Sequence, residues 1–505
     1  MQNEMMPNFL KKRAFLTPDR PAVYFQEHVV TFEQLYQRSY QVAGKLQGLG
    51  VQKDHYVGVL LKNNLDTVVI LFALQLLGVR SVILNNRLSP SELAWQLNDS
   101  MAVALILDDS FNHETKDIIN KRIPSLKTLT KDDIFFSVTN DPNIIEEISL
   151  SDICTIMYTS GTTGNPKGVI QTYGNHWWSS VGSALNLGFI DSDCWLCTVP
   201  LFHISGYSIL MRSVIYGMPM VLHDHFDVEK TITDIHEKGV TIMSVVATTL
   251  TRIVEALQER RLPNHFRCML LGGGPAPLPL LQACVEREIP VYQTYGMTES
   301  SSQIVTLAPE YSLTRLGSAG KPLFPSQIQI VMEDGNVAPA GVPGEIVIKG
   351  PNVTSGYLFR PEVSKEKFNN GWFYTGDIGY LDEAGFLYVL DRRSDLIISG
   401  GENIYPAEIE AALLAHPDVS DAGVTHIEDL EWGQAPVAFI VKRGGTNLSV
   451  TELEQFCKQQ VAKYKVPKAF YFTKELPRNA SKKLLRRELR EWIKDGRIND
   501  EDKVN

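Results

Sequence analysis

Helical patterns alternate with short apolar runs through roughly the first 310 residues of this 505-residue chain, and this alternation limits the fold more than any other feature. Tyr56–Leu61 reads as a strand, Asn64–Leu77 as a helix and Ser81–Leu84 as the next strand. Ala102–Leu107, Trp195–Val199, Met218–Leu222, Val240–Val245 and Cys268–Leu271 follow, most of them separated by helical stretches. The pattern predicts α/β subdomains with largely parallel strands. From Ser326 to Leu390 the texture changes to short strands between Gly, Pro and Asp turns, such as Gln327–Val331, Gly344–Lys349 and Phe386–Leu390. A small antiparallel, barrel-like subdomain is expected there. After Asp391-Arg392-Arg393-Ser394-Asp395 a new α+β block begins. The predicted organisation is an α/β N-terminal domain over residues 1–391, made of two α/β subdomains plus the β subdomain, and a smaller α+β domain over 392–505.

Bulk properties exclude several classes. A net charge of −10 and a pI near 5.6 argue against a nucleic-acid partner. The most apolar stretch, Thr67 to Leu84, is interrupted by Gln75, Gly78 and Arg80, and reads as a buried helix turning into a strand rather than a membrane span. The N-terminus carries charge without an apolar run, so it is no secretory signal. Of the six cysteines, Cys194 and Cys197 form a lone CxxC with no second pair at zinc spacing. Buried, reduced thiols in a cytoplasmic protein are expected. The basic run ending the chain, with Arg486, Arg487 and Arg490, reads as a solvated helix face.

The run Thr155–Tyr158 leads into Thr159-Ser160-Gly161-Thr162-Thr163-Gly164-Asn165-Pro166-Lys167-Gly168. Glycines let backbone N–H groups approach an anion, hydroxyls add donors, and Lys167 adds a mobile positive charge. The composition points to a polyphosphate. A Walker loop needs Gly-Lys-Ser/Thr, but Pro166 precedes this lysine and Gly168 follows it, so the loop is of another kind.

This loop resembles the phosphate loop of the adenylate-forming superfamily, which comprises acyl-CoA synthetases, luciferases and peptide-synthetase adenylation domains. Four further segments resemble that family in its order. Cys268–Pro277 is a strand entering a triple-glycine turn, and the resemblance places the adenine and acyl pocket at Gly272, Gly273, Gly274 and Pro275. Tyr295-Gly296-Met297-Thr298-Glu299 resembles the second nucleotide motif, which implies a phosphate contact from Thr298 and Mg²⁺ on Glu299; it also reads as a helix N-terminus capped by Thr298. Tyr374–Asp377 and Arg392 resemble the ribose contacts, Asp395 the hinge, and Ser399–Asn403 the loop that lines the CoA channel through Gly400, Gly401 and Glu402. Leu476–Leu485 resembles the segment bearing the catalytic lysine, here Lys483, with Lys482 where the family usually has glycine.

The resemblance implies ATP and Mg²⁺ as cofactors, CoA as co-substrate, and a C-terminal domain that moves between two half-reactions. Gln171–His176, Pro200–Gly206, Gly272–Leu280 and Glu299–Leu307 are similar to the branch of the family that acts on 2-succinylbenzoate in menaquinone biosynthesis. That similarity implies His203 beside the reacting carboxylate and Gly272, Ser301, Ser302 and Gln303 in the acid pocket. His203 also reads as a packing residue, and Ser300–Gln303 as a polar helix start. Another aryl- or medium-chain acid, or a carrier protein as acceptor, is compatible with the same motifs, as is a homodimer.

Overall fold

The computed structural model describes residues 4–111, 113–159, 166–274, 276, 278–391, 396–444, 446, 448–477 and 484–495. Its core is built on two sheets. In the first, strands Ile153–Thr159, Arg80–Ile83, Tyr56–Leu60, Ala104–Leu107 and Lys127–Thr130 run parallel, and Lys167–Thr172 adds an antiparallel edge to Ile153–Thr159. The second has a parallel centre: Pro21–Phe25, Met220–Leu222, Trp195–Cys197, Ile242–Val245, Cys268–Leu271 and Val291–Met297.

The apolar stretch after Asn64 becomes helix Leu65–Leu76, buried along nearly its whole length in the largest core cluster. The Asn64 side chain accepts from Thr67 N–H to start it, and Gly78 at φ +68° turns the chain into strand Arg80–Ile83. A helix apolar on every side must be enclosed by other elements. Among the described residues no helix is long and apolar enough to cross a membrane.

The expected antiparallel region comprises Gln327–Val331, Gly344–Lys349, Trp372–Leu381 and Leu387–Asp391. It joins the second sheet through Ser318–Pro322 and Ser302–Leu307. A separate sheet follows: Glu402–Ile404, Ile397–Ser399, Gly433–Lys442 and Val419–Asp429, with Ala469–Phe472 parallel to Gly433–Lys442.

Two expectations need correction. The strand expected to reach Val199 ends at Cys197, because the approach to Pro200 turns the chain out of the ladder. Arg486 is not on a solvated face: it pairs with Glu410 at 2.6 Å, and its side chain is 11% exposed. Leu489 on the same helix is fully buried, which pulls that side of the helix onto the sheet.

Candidate active site

Strands Ile153–Thr159 and Lys167–Thr172 pair antiparallel and bring the two ends of the phosphate loop together. Lys167 stands opposite Thr159 in the antiparallel register, so both residues bracket the loop. Ser160, Gly161, Thr162, Thr163 and Gly164 lie outside the described residues, as do Pro275, Arg392, Asp395 and the catalytic-lysine candidate Lys483. The Lys167 Nζ lies 5.7 Å from the centroid of the Tyr357 ring.

Strand Val291–Met297 delivers Thr298 and Glu299 on a single 3₁₀ turn, Thr298–Ser300, followed by strand Ser302–Leu307. The polar helix start considered for Ser300–Gln303 is therefore absent, because the chain reverses at once. Ser301 at φ +55° and Ser302 at φ +116° carry left-handed backbone without glycine, at a cost of roughly 1–3 kcal/mol each. Surrounding donors hold the turn in place. Gln171 Nε2 donates to Thr298 O at 2.9 Å, Thr354 N–H to Glu299 O at 2.7 Å and Asn352 Nδ2 to Ser300 O at 3.0 Å. Gly296 is required here, since a Cβ would lie 2.2 Å from Ser302 O. Glu299 is buried, and its Oε1 accepts from the Tyr357 hydroxyl at 2.9 Å.

Asp377 lines a cavity with Thr159, Thr298 and Glu299. Tyr295 is buried beneath it and donates its hydroxyl to Asp377 Oδ2 at 2.6 Å. Tyr295 thus orients the aspartate and does not line that cavity.

The neighbouring cavity, of about 200 Å³, is lined by His203, Ser208, Arg212, Gly272, Gly273, Ser302 and Gln303 among others. Gln303 Nε2 donates to Ser183 Oγ at 2.7 Å, and its Oε1 has no hydrogen-bond partner. Ser301 is wholly buried and does not line the cavity; Gly274 faces Ile398 instead.

Sequence reasoning missed Arg212. It lies on helix Ile204–Tyr216, is 1% exposed, and donates to Ser302 Oγ at 3.3 Å with its guanidinium 5.2 Å from the Trp195 ring. Its Nε has no partner, and among the described residues its polar contacts are hydroxyls, of Ser302 and Tyr216, rather than a carboxylate. Burial pushes its pKa below the ordinary arginine value. Desolvating a guanidinium costs several kcal/mol; the Ser302 and Tyr216 hydroxyls and the Trp195 ring offset part of it, and an anion in the cavity would offset more. The available signal was one charge inside the apolar run Ile204–Tyr216.

Glu402, on the C-terminal sheet, lines an adjacent cavity with Thr159, His203 and Thr298. Its carboxylate meets His203 Nε2 at 3.1 Å and accepts from Arg87 at 2.7 Å and Asn85 at 3.3 Å. Burial opposes its charge, but His203, Arg87 and Lys465 hold its pKa below the usual carboxylate value. Gly401, at φ +87°, and Gly273, at φ +86°, both pack against Val246, so the small sheet's loop touches the same wall as the glycine turn. Gly400, at φ +57°, lies under the Trp432 ring. A second bridge, also missed, joins the same surfaces: Lys465 donates to Glu92 and to Glu408.

The AMP-binding enzyme family matches residues 10–358, and the AMP-binding enzyme C-terminal domain matches 408–483. The chain is 56% identical to a 2-succinylbenzoate–CoA ligase of Geobacillus kaustophilus over 488 residues, covering 97% of this chain and 98% of the relative. Among solved structures it is similar, at 48% identity and TM-score 0.92, to a double mutant of Bacillus subtilis o-succinylbenzoate CoA synthetase bound to the product analogue OSB-NCoA, covering 97% and 98% of the two chains. The same enzyme in complex with ATP and magnesium matches at 48% identity but TM-score 0.76, covering 96% and 100%. Equal identity with unequal TM-score marks a difference in arrangement rather than in sequence. The chain belongs to the AMP-binding, adenylate-forming enzyme family.

Proposed function

We propose that this enzyme joins 2-succinylbenzoate to CoA with ATP, releasing AMP and diphosphate, as an acid–thiol ligase of menaquinone biosynthesis. A carboxylate oxygen of the acid attacks the α-phosphorus of ATP and diphosphate leaves. The CoA sulfur then attacks the acyl carbon and AMP leaves. The first step brings an anion to a polyanion, so charge neutralisation is the main catalytic task. Thr159 and Lys167 flank the diphosphate, Asp377 and Arg392 hold the ribose, and Lys483 bridges carboxylate and phosphate. Magnesium fits Glu299: Tyr357 occupies one carboxylate oxygen and leaves the other, and Mg²⁺ takes one or two carboxylates plus substrate phosphates. When bound, that ion neutralises phosphate charge.

The observation that carries the choice of acid is Arg212, a buried guanidinium without a carboxylate partner among the described residues, in the cavity shared by His203 and Gly272. A fatty acid would leave that charge unpaired. 2-Succinylbenzoate brings a second carboxylate that answers it. The contact between Glu402 and His203 supports reading this arrangement as the one for the CoA step, with Gly400–Glu402 at the channel. The division at 391/392, with Asp395 as hinge, belongs to the same reading. ATP–diphosphate exchange over a panel of acids tests it: exchange is expected with 2-succinylbenzoate, and exchange only with fatty acids would overturn it.

A further inference from the structure

Tyr357 lies between the two charged groups assigned to the triphosphate, and no motif points to it. Its segment is a short addition to strand Lys167–Thr172. Ile170 N–H donates to Gly356 O at 3.1 Å, Leu358 N–H donates to Gly168 O at 2.8 Å, and Tyr357 faces Val169 in an antiparallel bridge. Its own N–H donates to Ser364 Oγ at 2.9 Å. The ring is 5% exposed and packs in the cluster of Val169, Tyr295 and Ile304. Thr354, three residues earlier, gives its N–H to Glu299 O, so one short segment grips both the backbone and the carboxylate of Glu299.

From this geometry we infer that Tyr357 is a positioning residue for the nucleotide site. Its hydroxyl fixes Oε1 of Glu299 and so presents Oε2 to the magnesium–phosphate complex, while its ring face supports the Lys167 ammonium. Without that hydroxyl the buried carboxylate can rotate about its terminal bond, and most of those orientations aim neither oxygen at the cation. Every group involved lies before residue 365, so the arrangement is independent of how the C-terminal domain is placed. The inference rests on Glu299 as the magnesium ligand.

Tyr357→Phe separates the two functions, because it keeps the ring and removes the hydroxyl. ATP binding is measured by titration calorimetry on the full chain across a magnesium series, with Glu299→Gln alongside and the melting temperature of each variant recorded. In Tyr357→Phe the magnesium concentration giving half-maximal enhancement of ATP binding is expected to rise about tenfold, as for loss of one hydrogen bond to a charged group. ATP affinity without magnesium should be unchanged. An unaltered magnesium dependence in Tyr357→Phe, with Glu299→Gln impaired, would overturn the role of Tyr357 alone. An unaltered dependence in both variants would overturn the Glu299 assignment and the inference with it.

Discussion

Lys465 donates to Glu92 at 2.6 Å across the boundary between the C-terminal and N-terminal domains, with 4% of the lysine side chain and 10% of the glutamate side chain exposed. Glu408, on the lysine's own domain, accepts from the same ammonium at 2.7 Å. Breaking a buried pair by removing one charge costs about 3–5 kcal/mol, because the survivor is left desolvated. Here the domains can part instead, which returns the lysine to water. The pair therefore biases the position of the C-terminal domain. Glu92→Gln should slow thioester formation from supplied acyl-adenylate by roughly tenfold or more while leaving adenylation intact. Single-turnover measurement of each half-reaction checks this; equal slowing of both would contradict it.

Two carboxylates facing one ammonium leave a surplus negative charge, which favours a proton on Glu408. Burial, with the Glu92 carboxylate alongside, pushes its pKa up to about 7. Burial also opposes the charge of Glu92, yet Lys465 holds that pKa below the ordinary value. A raised carboxyl pKa gives a contribution to stability that is fully present below the unfolded value and lost as pH rises through about 7. Relative to Glu408→Gln, the parent protein should lose on the order of 2–3 kcal/mol between pH 4.5 and 8. Denaturant midpoints at several pH values measure this, and parallel profiles for the two proteins would refute it.

Arg212 predicts a specificity that depends on the substrate's second carboxylate. Arg212→Gln should reduce kcat/KM for 2-succinylbenzoate by about 10- to 100-fold, the worth of one charge-assisted pair. With 4-oxo-4-phenylbutanoate, which lacks the ring carboxylate, parent and variant should differ little. Equal losses on both acids would show that Arg212 serves packing only.

Lys483→Ala should abolish adenylation, with a rate loss of at least about a hundredfold, and spare thioesterification of supplied acyl-adenylate. Stopped-flow assays of the two half-reactions make the comparison. Equal loss in both would place the catalytic lysine elsewhere, with Lys482 as the next candidate.

The parts of this fold legible in the sequence are those in which local chemistry and tertiary role coincide. Strand Cys268–Leu271 is apolar because it is enclosed, and its boundaries follow from the glycines after it. Lys167 and Thr159 announced a phosphate loop because glycine, hydroxyl and ammonium serve the same purpose at any location. The partnership of Lys465 left no such trace: Glu92 is 373 residues away, and both look like surface charges locally. Tyr295 was assigned to the nucleotide by its motif, whereas the fold turns its ring into the core and leaves only the hydroxyl beneath Asp377. A motif specifies which residues gather, but the direction each side chain takes depends on packing from distant segments.

All six cysteines are free and buried, including Cys194 and Cys197, and burial raises their thiols to about 12, or about 11 for Cys284. Near pH 7.5 the reactive thiolate is then on the order of one part in 10⁴ at each site, before access is considered. An enzyme that holds an activated acyl group and a thiol co-substrate is exposed to self-acylation and to mixed disulfides with that co-substrate. Keeping its own sulfur sealed in strands and helices leaves the incoming thiol without a competitor, so the acyl group has one sulfur to go to.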